Sequence, residues 1–398
     1  MSYPFEGITV IDLSQIYNGP YATYLMALGG ATVIKIEPPG GEPLRRRGVV
    51  GGAALPFAML NGCKASIVLD LKTEAGKDAL KGLVRKADVL VENFAPGVMD
   101  RLGVGYDTLR QINPNLIYAA SSGYGSDGPY RNYPAMDLTI QAMGGVMHIT
   151  GFPDRPPVKA GPAMADFFAG IHLYGAIATA LFERERTGVA RRLEVAMQDA
   201  VYASLSSSLG LQWGPRQGED VPPRTGNRHG GLAESPYNVY PTADGYIAII
   251  CVKESHWQAL TELMGRPELS TDPRFATLKS RVSHMDAVDD IVGTWTAQFT
   301  KAALFERLMA ARVPCAPVRT LEEVMNDPNM HARGSLVWLD HPEYGRIVVQ
   351  QSPLRYDGVP PHPITPSRPL GADTHAVLRE RLNLSEEEIA SLIPSIAG

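Results

Sequence analysis

Along the first half of the chain, short apolar runs alternate with segments of helical period. Residues 8–13 (Ile-Thr-Val-Ile-Asp-Leu) read as a strand, residues 20–29 as a helix, and residues 32–37 (Thr-Val-Ile-Lys-Ile-Glu) as a second strand. Apolar positions from Thr73 to Ala87 repeat at helical spacing, with Thr73 at the N-cap place. Asp88 to Val91 and Leu116 to Ser121 are further short apolar runs. Strands alternating with helices predict right-handed βαβ units on a parallel sheet. Ligands on such sheets bind beyond the carboxyl ends of the strands.

The pattern changes after about residue 199. Residues 214–230 are polar and rich in Gly and Pro, which reads as linker. A smaller α+β unit follows. Its strand-like runs Tyr237–Tyr240 and Tyr246–Val252 are joined through Ala243-Asp244-Gly245, and helices are expected at about 255–265, 287–298 and 301–312. The proline-rich segment Pro353–Pro369 is expected to be extended and to return to the first domain. No internal repeat or low-complexity tract interrupts this plan.

Length agrees with two domains, since 398 residues exceed one typical domain. With 44% hydrophobic and 20% charged residues, the composition is that of a globular protein. The net charge of −5 gives no basic excess to meet nucleic acid or an anionic membrane. Cys63, Cys251 and Cys315 are far apart and odd in number. That speaks against a disulfide framework and for a reducing compartment. Met1–Gly7 has neither a basic nor an apolar leader region, so no secretory signal is expected. Phe167–Phe182 is apolar apart from His172, but shorter than the ~20 residues a membrane span needs. A helix buried inside a large domain is the expectation.

Candidate chemistry begins with a decoy. Gly123-Tyr-Gly125-Ser-Asp-Gly128 fits the dinucleotide glycine pattern after a strand, but that fingerprint needs a helix immediately afterwards. Pro129 and Pro134 oppose one, so nicotinamide or flavin binding is not expected. No phosphate-binding loop motif, GxSxG or HExxH occurs, and the histidines show no metal-ligand spacing, so no metal is expected. Asp166 is different. It heads a run of residues, 167–182, with no formal charge unless His172 is protonated. A carboxylate there either caps the helix or does chemistry. Asp137 opens a similar apolar run and invites the same two readings. If the two carboxylates converge, their repulsion separates their pKa values. Arg45-Arg46-Arg47 follow the second strand and form either a solvated loop or a site for a phosphorylated ligand. Gly230-Gly231 form a turn or a loop able to close over an intermediate.

These residues carry a resemblance. The chain resembles the class III coenzyme A transferases, a group that includes formyl-CoA and carnitine CoA-transferases and the related α-methylacyl-CoA racemases. The supporting segments are Gly30–Glu37, Leu69–Thr73, Ala87–Gly97, Arg101-Leu-Gly103, Asn115–Tyr118 and Gly226–Gly231, in that order along essentially the whole chain. The resemblance implies a Rossmann-like parallel-sheet large domain, a smaller α+β domain, and two chains interlocked into a ring-like homodimer. It divides the chain into a CoA-binding domain of residues 1–199 and 351–398, a small domain of 226–322, and linkers at 200–225 and 323–350. It places CoA contacts on Tyr17, Asn18, Leu69, Asp70, Leu71, Lys72, Asn93, Phe94, Ala95 and Arg101. Some members carry a phosphate-binding arginine where Pro38 stands, so Arg45 or its neighbours Arg46 and Arg47 are expected to substitute.

The same resemblance puts the nucleophile on Asp166, a second acidic group on Asp137 and a mobile glycine loop on Gly230-Gly231. The expected activity is transfer of CoA between carboxylic acids through an aspartyl-acyl anhydride and an aspartyl-CoA thioester. The substrates are acyl-CoA and a small acid, a dicarboxylate such as succinate being one candidate. No tightly bound cofactor, nucleic acid or membrane partner is expected, and the location is read as cytoplasmic. Tyr17 replaces a Gln found in some formyl transferases, which argues against formate and oxalate as the pair. The alternative is a racemase. That chemistry needs proton carriers on opposite faces of an α-carbon. Its histidine position holds Met136, while its glutamate falls on Glu254, so transfer is favoured.

Overall fold

A computed structural model of the chain describes residues 2–51, 55–213 and 221–392. Residues 214–220 of the expected linker and 393–398 of the first domain lie outside the described residues. The chain forms two compact units. One comprises residues 1–140, 162–201 and 325–398, the other 141–161 and 202–324.

The first unit is built on six parallel strands, β1 (Thr9–Asp12), β2 (Thr32–Glu37), β3 (Lys64–Val68), β4 (Val89–Glu92), β5 (Ile117–Ser122) and β6 (Arg192–Ala196). Their order is β3-β2-β1-β4-β5-β6, that of a doubly wound α/β sheet. Connections leave β1 for one side and β4 for the other, so a crevice opens between these two strands. The central strands β1 and β4 are buried along their whole length because both faces are covered, whereas the edge strand β6 is partly exposed. Val10, Val33, Val89, Val91 and Ile117 point to one face, with Ala22 and Met26 of α1 (Asn18–Leu28) and Leu173 and Ile177 of the long helix Met164–Thr187. Ile11, Ile34, Ile67 and Leu90 point to the other, against Leu80, Leu83 and Val84. Each fully buried aliphatic side chain contributes about 1.5–3 kcal/mol.

The expected helix after Thr73 forms as Glu74–Val84, and Thr73 Oγ1 caps it by accepting from Gly76 N at 3.1 Å. The Gly123–Gly128 decoy is followed by turns, with no helix before Asp137. The long helix departs from expectation. It has 24 residues, enough by length and composition to cross a membrane. It is also only half covered. Ala165, Ala169, Leu173, Ile177 and Ala180 are buried, whereas Ile171 and Phe182 are exposed. Helical geometry puts these sets on opposite faces, and the sheet covers one face only.

Residues 323–350 include an antiparallel hairpin, β10 (Leu336–His341) and β11 (Gly345–Gln350), within the first unit. The proline-rich segment beyond it is extended and lies along the first unit: Cys63 N donates to Thr365 O at 3.2 Å. In the second unit, β7 (Tyr237–Thr242) and β8 (Gly245–Ile250) pair through the expected turn, and β9 (Cys315–Pro317) adds a third antiparallel strand. Helices Glu254–Leu263, Met285–Thr296 and Lys301–Ala310 supply Trp257, Leu260, Val288, Val292, Leu304 and Leu308 to its core.

Candidate active site

The carboxyl ends of β1 to β5 in the first unit form a continuous cleft. At the crevice between β1 and β4, Gln15 and Asn93 are locked reciprocally. Gln15 N donates to Asn93 Oδ1 and Asn93 Nδ2 donates to Gln15 O, both at 2.8 Å. One cavity of about 380 Å³ is lined by Gln15, Asn18, Asn93, Phe94, Met136 and Asp166, among others. A second of about 210 Å³ is lined by Gln15, Pro38, Leu69, Asp70, Leu71, Lys72 and Phe94. Gln15 and Phe94 are common to both. The expected CoA positions Asn18, Leu69 to Lys72, Asn93, Phe94 and Ala95 thus fall along one strand-end cleft. Arg101 lies on the short helix Val98–Arg101 beyond it.

The turn after β4 is held from beneath. Glu92 accepts from Phe94 N at 2.8 Å and from Tyr118 Oη at 3.2 Å. Burial pushes the Glu92 carboxyl up to about 7 against these hydrogen bonds. Neither Glu92 nor Gln15 is among the expected site residues. Their places just before and beyond strand ends were the available signal.

Asp166 sits in the first turn of the long helix and is 7% exposed. It does not cap that helix. Asp137 does so instead, its Oδ1 accepting from Ala165 N at 2.9 Å. Among the described residues, no side-chain or backbone donor is hydrogen-bonded to the Asp166 carboxylate. Burial, and then the neighbouring Asp137 charge, push the Asp166 carboxyl up to about 7, while Arg47 pulls it the other way. The two aspartates therefore converge, but with different duties. Met136 lines the same cavity and is 54% exposed, so the place of a racemase histidine holds a thioether with no proton to exchange.

Three arginines occupy α2 (Pro43–Val50), a helix and not a solvated loop. Arg45 is turned inward and committed to Glu37, with Nε–Oε2 and Nη2–Oε1 both at 2.7 Å. Its fork is filled, which leaves little for a phosphate. Arg46 is exposed. Arg47 Nη1 donates to Tyr17 Oη at 2.7 Å. Tyr17 in turn stacks on Phe167, next to Asp166, with ring centroids 5.7 Å apart.

In the second unit, Gly230 and Gly231 lie against Ser207 and Ser208. A Cβ on Gly230 would come within 3.0 Å of Ser208 Oγ. The preceding Arg228 anchors this segment on Asp289 and Asp286 at 2.8 and 2.6 Å. Glu254 is engaged by Arg281 Nη1 at 2.6 Å and by Leu278 N at 2.7 Å. Such a carboxylate is a structural acceptor rather than an open base. Burial pushes the Cys251 and Cys315 thiols up to about 12 and 11, so both are poor nucleophiles near neutrality.

A carboxylate without hydrogen-bond donors thus lines a strand-end cleft in a doubly wound α/β unit. The chain matches CoA-transferase family III over residues 5–374 and belongs to that family. It is 38% identical to a formyl-CoA:oxalate CoA-transferase of Streptomyces avermitilis, covering 98% of each chain. It is 37% identical to a succinate–glutarate CoA-transferase of Agrobacterium fabrum, covering 95% of each. A crystal structure of a CaiB/BaiF-family protein from Brucella suis superposes with a TM-score of 0.84 at 34% identity, covering 96% of this chain and 100% of that one. The chain is accordingly a class III CoA-transferase.

Proposed function

We propose that this enzyme moves coenzyme A between two carboxylic acids, with the Asp166 carboxylate as nucleophile. The observation that carries the reading is that Asp166 is buried and aimed into the cleft while Asp137 does the capping. An Asp166 oxygen attacks the donor thioester carbon. The C–S bond breaks, CoA leaves as thiolate, and an aspartyl-acyl anhydride remains. The thiolate then attacks the aspartyl carbonyl, giving an aspartyl-CoA thioester and the free donor acid. The acceptor carboxylate repeats these steps in reverse. A carboxylate suits this role because it matches the acceptor acid chemically, so the donor thioester and the aspartyl-CoA thioester are close to balance. The helix N-terminus favours the ionised form that attacks.

CoA is read as lying along Tyr17, Asn18, Leu69 to Lys72, Asn93 to Ala95 and Arg101. Gly230-Gly231 are read as the loop that keeps water from the anhydride. Dicarboxylates such as succinate and glutarate are the acids to assay first. A relative of similar length is named for that pair, and Tyr17 argues against formate and oxalate. An interlocked homodimer and a cytoplasmic location belong to the same proposal. Hydroxylamine added after the donor thioester is expected to trap an adduct at Asp166, detected by peptide mass. Trapping elsewhere, or trapping without donor, would sink the assignment. Solvent deuterium entering the α-carbon with no acceptor acid would favour the racemase instead.

A further inference from the structure

Arg47 is a half-buried guanidinium that makes no ion pair with a carboxylate among the described residues, although its charge acts on the nearby Asp166. Arg45, two positions earlier and so on the opposite side of α2, is saturated by Glu37 and lies over the Phe57 ring at 3.8 Å. Arg47 makes one neutral hydrogen bond, to Tyr17 Oη, and its guanidinium carbon lies 5.3 Å from that ring's centroid. Both partners are fixed in advance. The Glu42 carboxylate accepts from Ile16 N at 3.1 Å and from Leu44 N at 3.2 Å, tying the turn that carries Tyr17 to the start of α2. Ile16 is held at φ 67, a conformation a β-branched residue rarely adopts. A half-buried cation whose planar fork carries a single hydrogen bond, and that to a neutral hydroxyl, is a site for an anion.

The choice of anion follows from where Arg47 sits. Tyr17 bridges it to Phe167, the neighbour of Asp166, and the thioester carbon must meet Asp166. Arg47 is therefore at the sulfur end of CoA, and the pantetheine arm keeps the phosphates at the other end of the cleft. The anion within reach is carried by the acyl group. We propose that Arg47 binds the second carboxylate of a dicarboxylic acid substrate and so selects dicarboxylates over monocarboxylates. This rests on the transfer reading above and adds to it the residue that reads the acid.

The experiment compares kcat/KM for succinate and glutarate with that for their half-amides, which keep size and lose the distal charge, using wild type, Arg47→Gln and Arg47→Lys. Wild type is expected to prefer the diacid by about 10- to 100-fold. Arg47→Gln is expected to bring that ratio close to one, and Arg47→Lys to keep part of it, which separates lost recognition from a damaged fold. A ratio unchanged by Arg47→Gln overturns the proposal. So does a variant that instead loses discrimination between CoA and dephospho-CoA donors, which would make Arg47 a phosphate ligand. A wild type that exchanges acids without preferring diacids overturns it while leaving transfer intact. A wild type that transfers CoA to no acid overturns the transfer reading itself.

Discussion

Asp12 and Asp166 are both buried aspartates in the first unit, and their surroundings are opposites. Asp12 ends β1 and is saturated. Lys64 Nζ lies 3.0 Å from its Oδ2, Thr23 Oγ1 donates to the same oxygen at 2.6 Å, and Ser14 donates to the other through both N and Oγ. Burial alone would raise its carboxyl, but Lys64, Lys35 and the hydroxyls outweigh burial and hold it far below the ordinary range. Asp166 receives no such donors and faces Asp137, and it is pushed up. A saturated carboxylate has no lone pair to offer a thioester, whereas a starved one has. The difference lies in the partners each aspartate is given, since burial is common to both.

The largest expected effect separates the two in activity. Asp166→Ala is expected to lower CoA transfer by about a thousandfold or more while thermal unfolding stays cooperative. Activity within tenfold of wild type would break the contrast. Asp12 should answer in stability. Lys64→Met leaves a buried carboxylate without its ammonium and is expected to destabilise the first unit by about 3–5 kcal/mol in urea unfolding. A change under ~1 kcal/mol would mean that water or Lys35 substitutes for Lys64.

The pH dependence should run in opposite directions. Asp12 has a depressed folded value, so its contribution is present above the unfolded value and is lost as pH falls below it. Asp166 has a raised folded value, so it favours the fold at acid pH. That contribution is lost as pH rises from 3.8 to about 7. Asp166→Asn is therefore expected to be more stable than wild type at pH 8, by roughly 1–3 kcal/mol. Melting temperatures across pH 4–8 check the sign, and equal slopes for both proteins would remove the argument.

Period and apolar runs were enough to locate β1, β2, β4 and β5, the helix after Thr73 and the β7–β8 hairpin, because a doubly covered parallel sheet writes its strands as continuous apolar blocks. The short β9 and the β10–β11 hairpin were not legible. Cys-Ala-Pro carries no period, and β10 mixes Trp338 and Asp340 into a half-exposed strand. At the site, the apolar run after Asp166 made it visible, but spacing could not decide between cap and nucleophile. The decision needed Asp137 Oδ1 on Ala165 N, a contact across 28 residues. Arg45 and Arg47 are identical letters two apart in a basic triplet. Only the helix separates them, turning one to Glu37 and the other to Tyr17.

Asp137→Asn sharpens the comparison with the smallest change. The amide keeps an oxygen to accept from Ala165 N, so the helix cap survives while the charge beside Asp166 is removed. Asp137 is among the causes that raise the Asp166 carboxyl, second to burial. The acid limb of the kcat/KM profile reports the free enzyme's essential carboxylate. In wild type it is expected near pH 7, the value to which Asp166 is pushed. In the variant it is expected to move down by roughly 0.5–1 pH unit, since removing a like charge favours the ionised form. The plateau above pH 8 separates two roles. If Asp137 acts only through its charge and its cap, the plateau stays within a few-fold of wild type. If Asp137 touches the substrate, the plateau falls tenfold or more as well. An unmoved acid limb with an intact plateau would mean that burial alone sets Asp166, and the contrast with Asp12 would then rest on the missing donors and not on the second carboxylate.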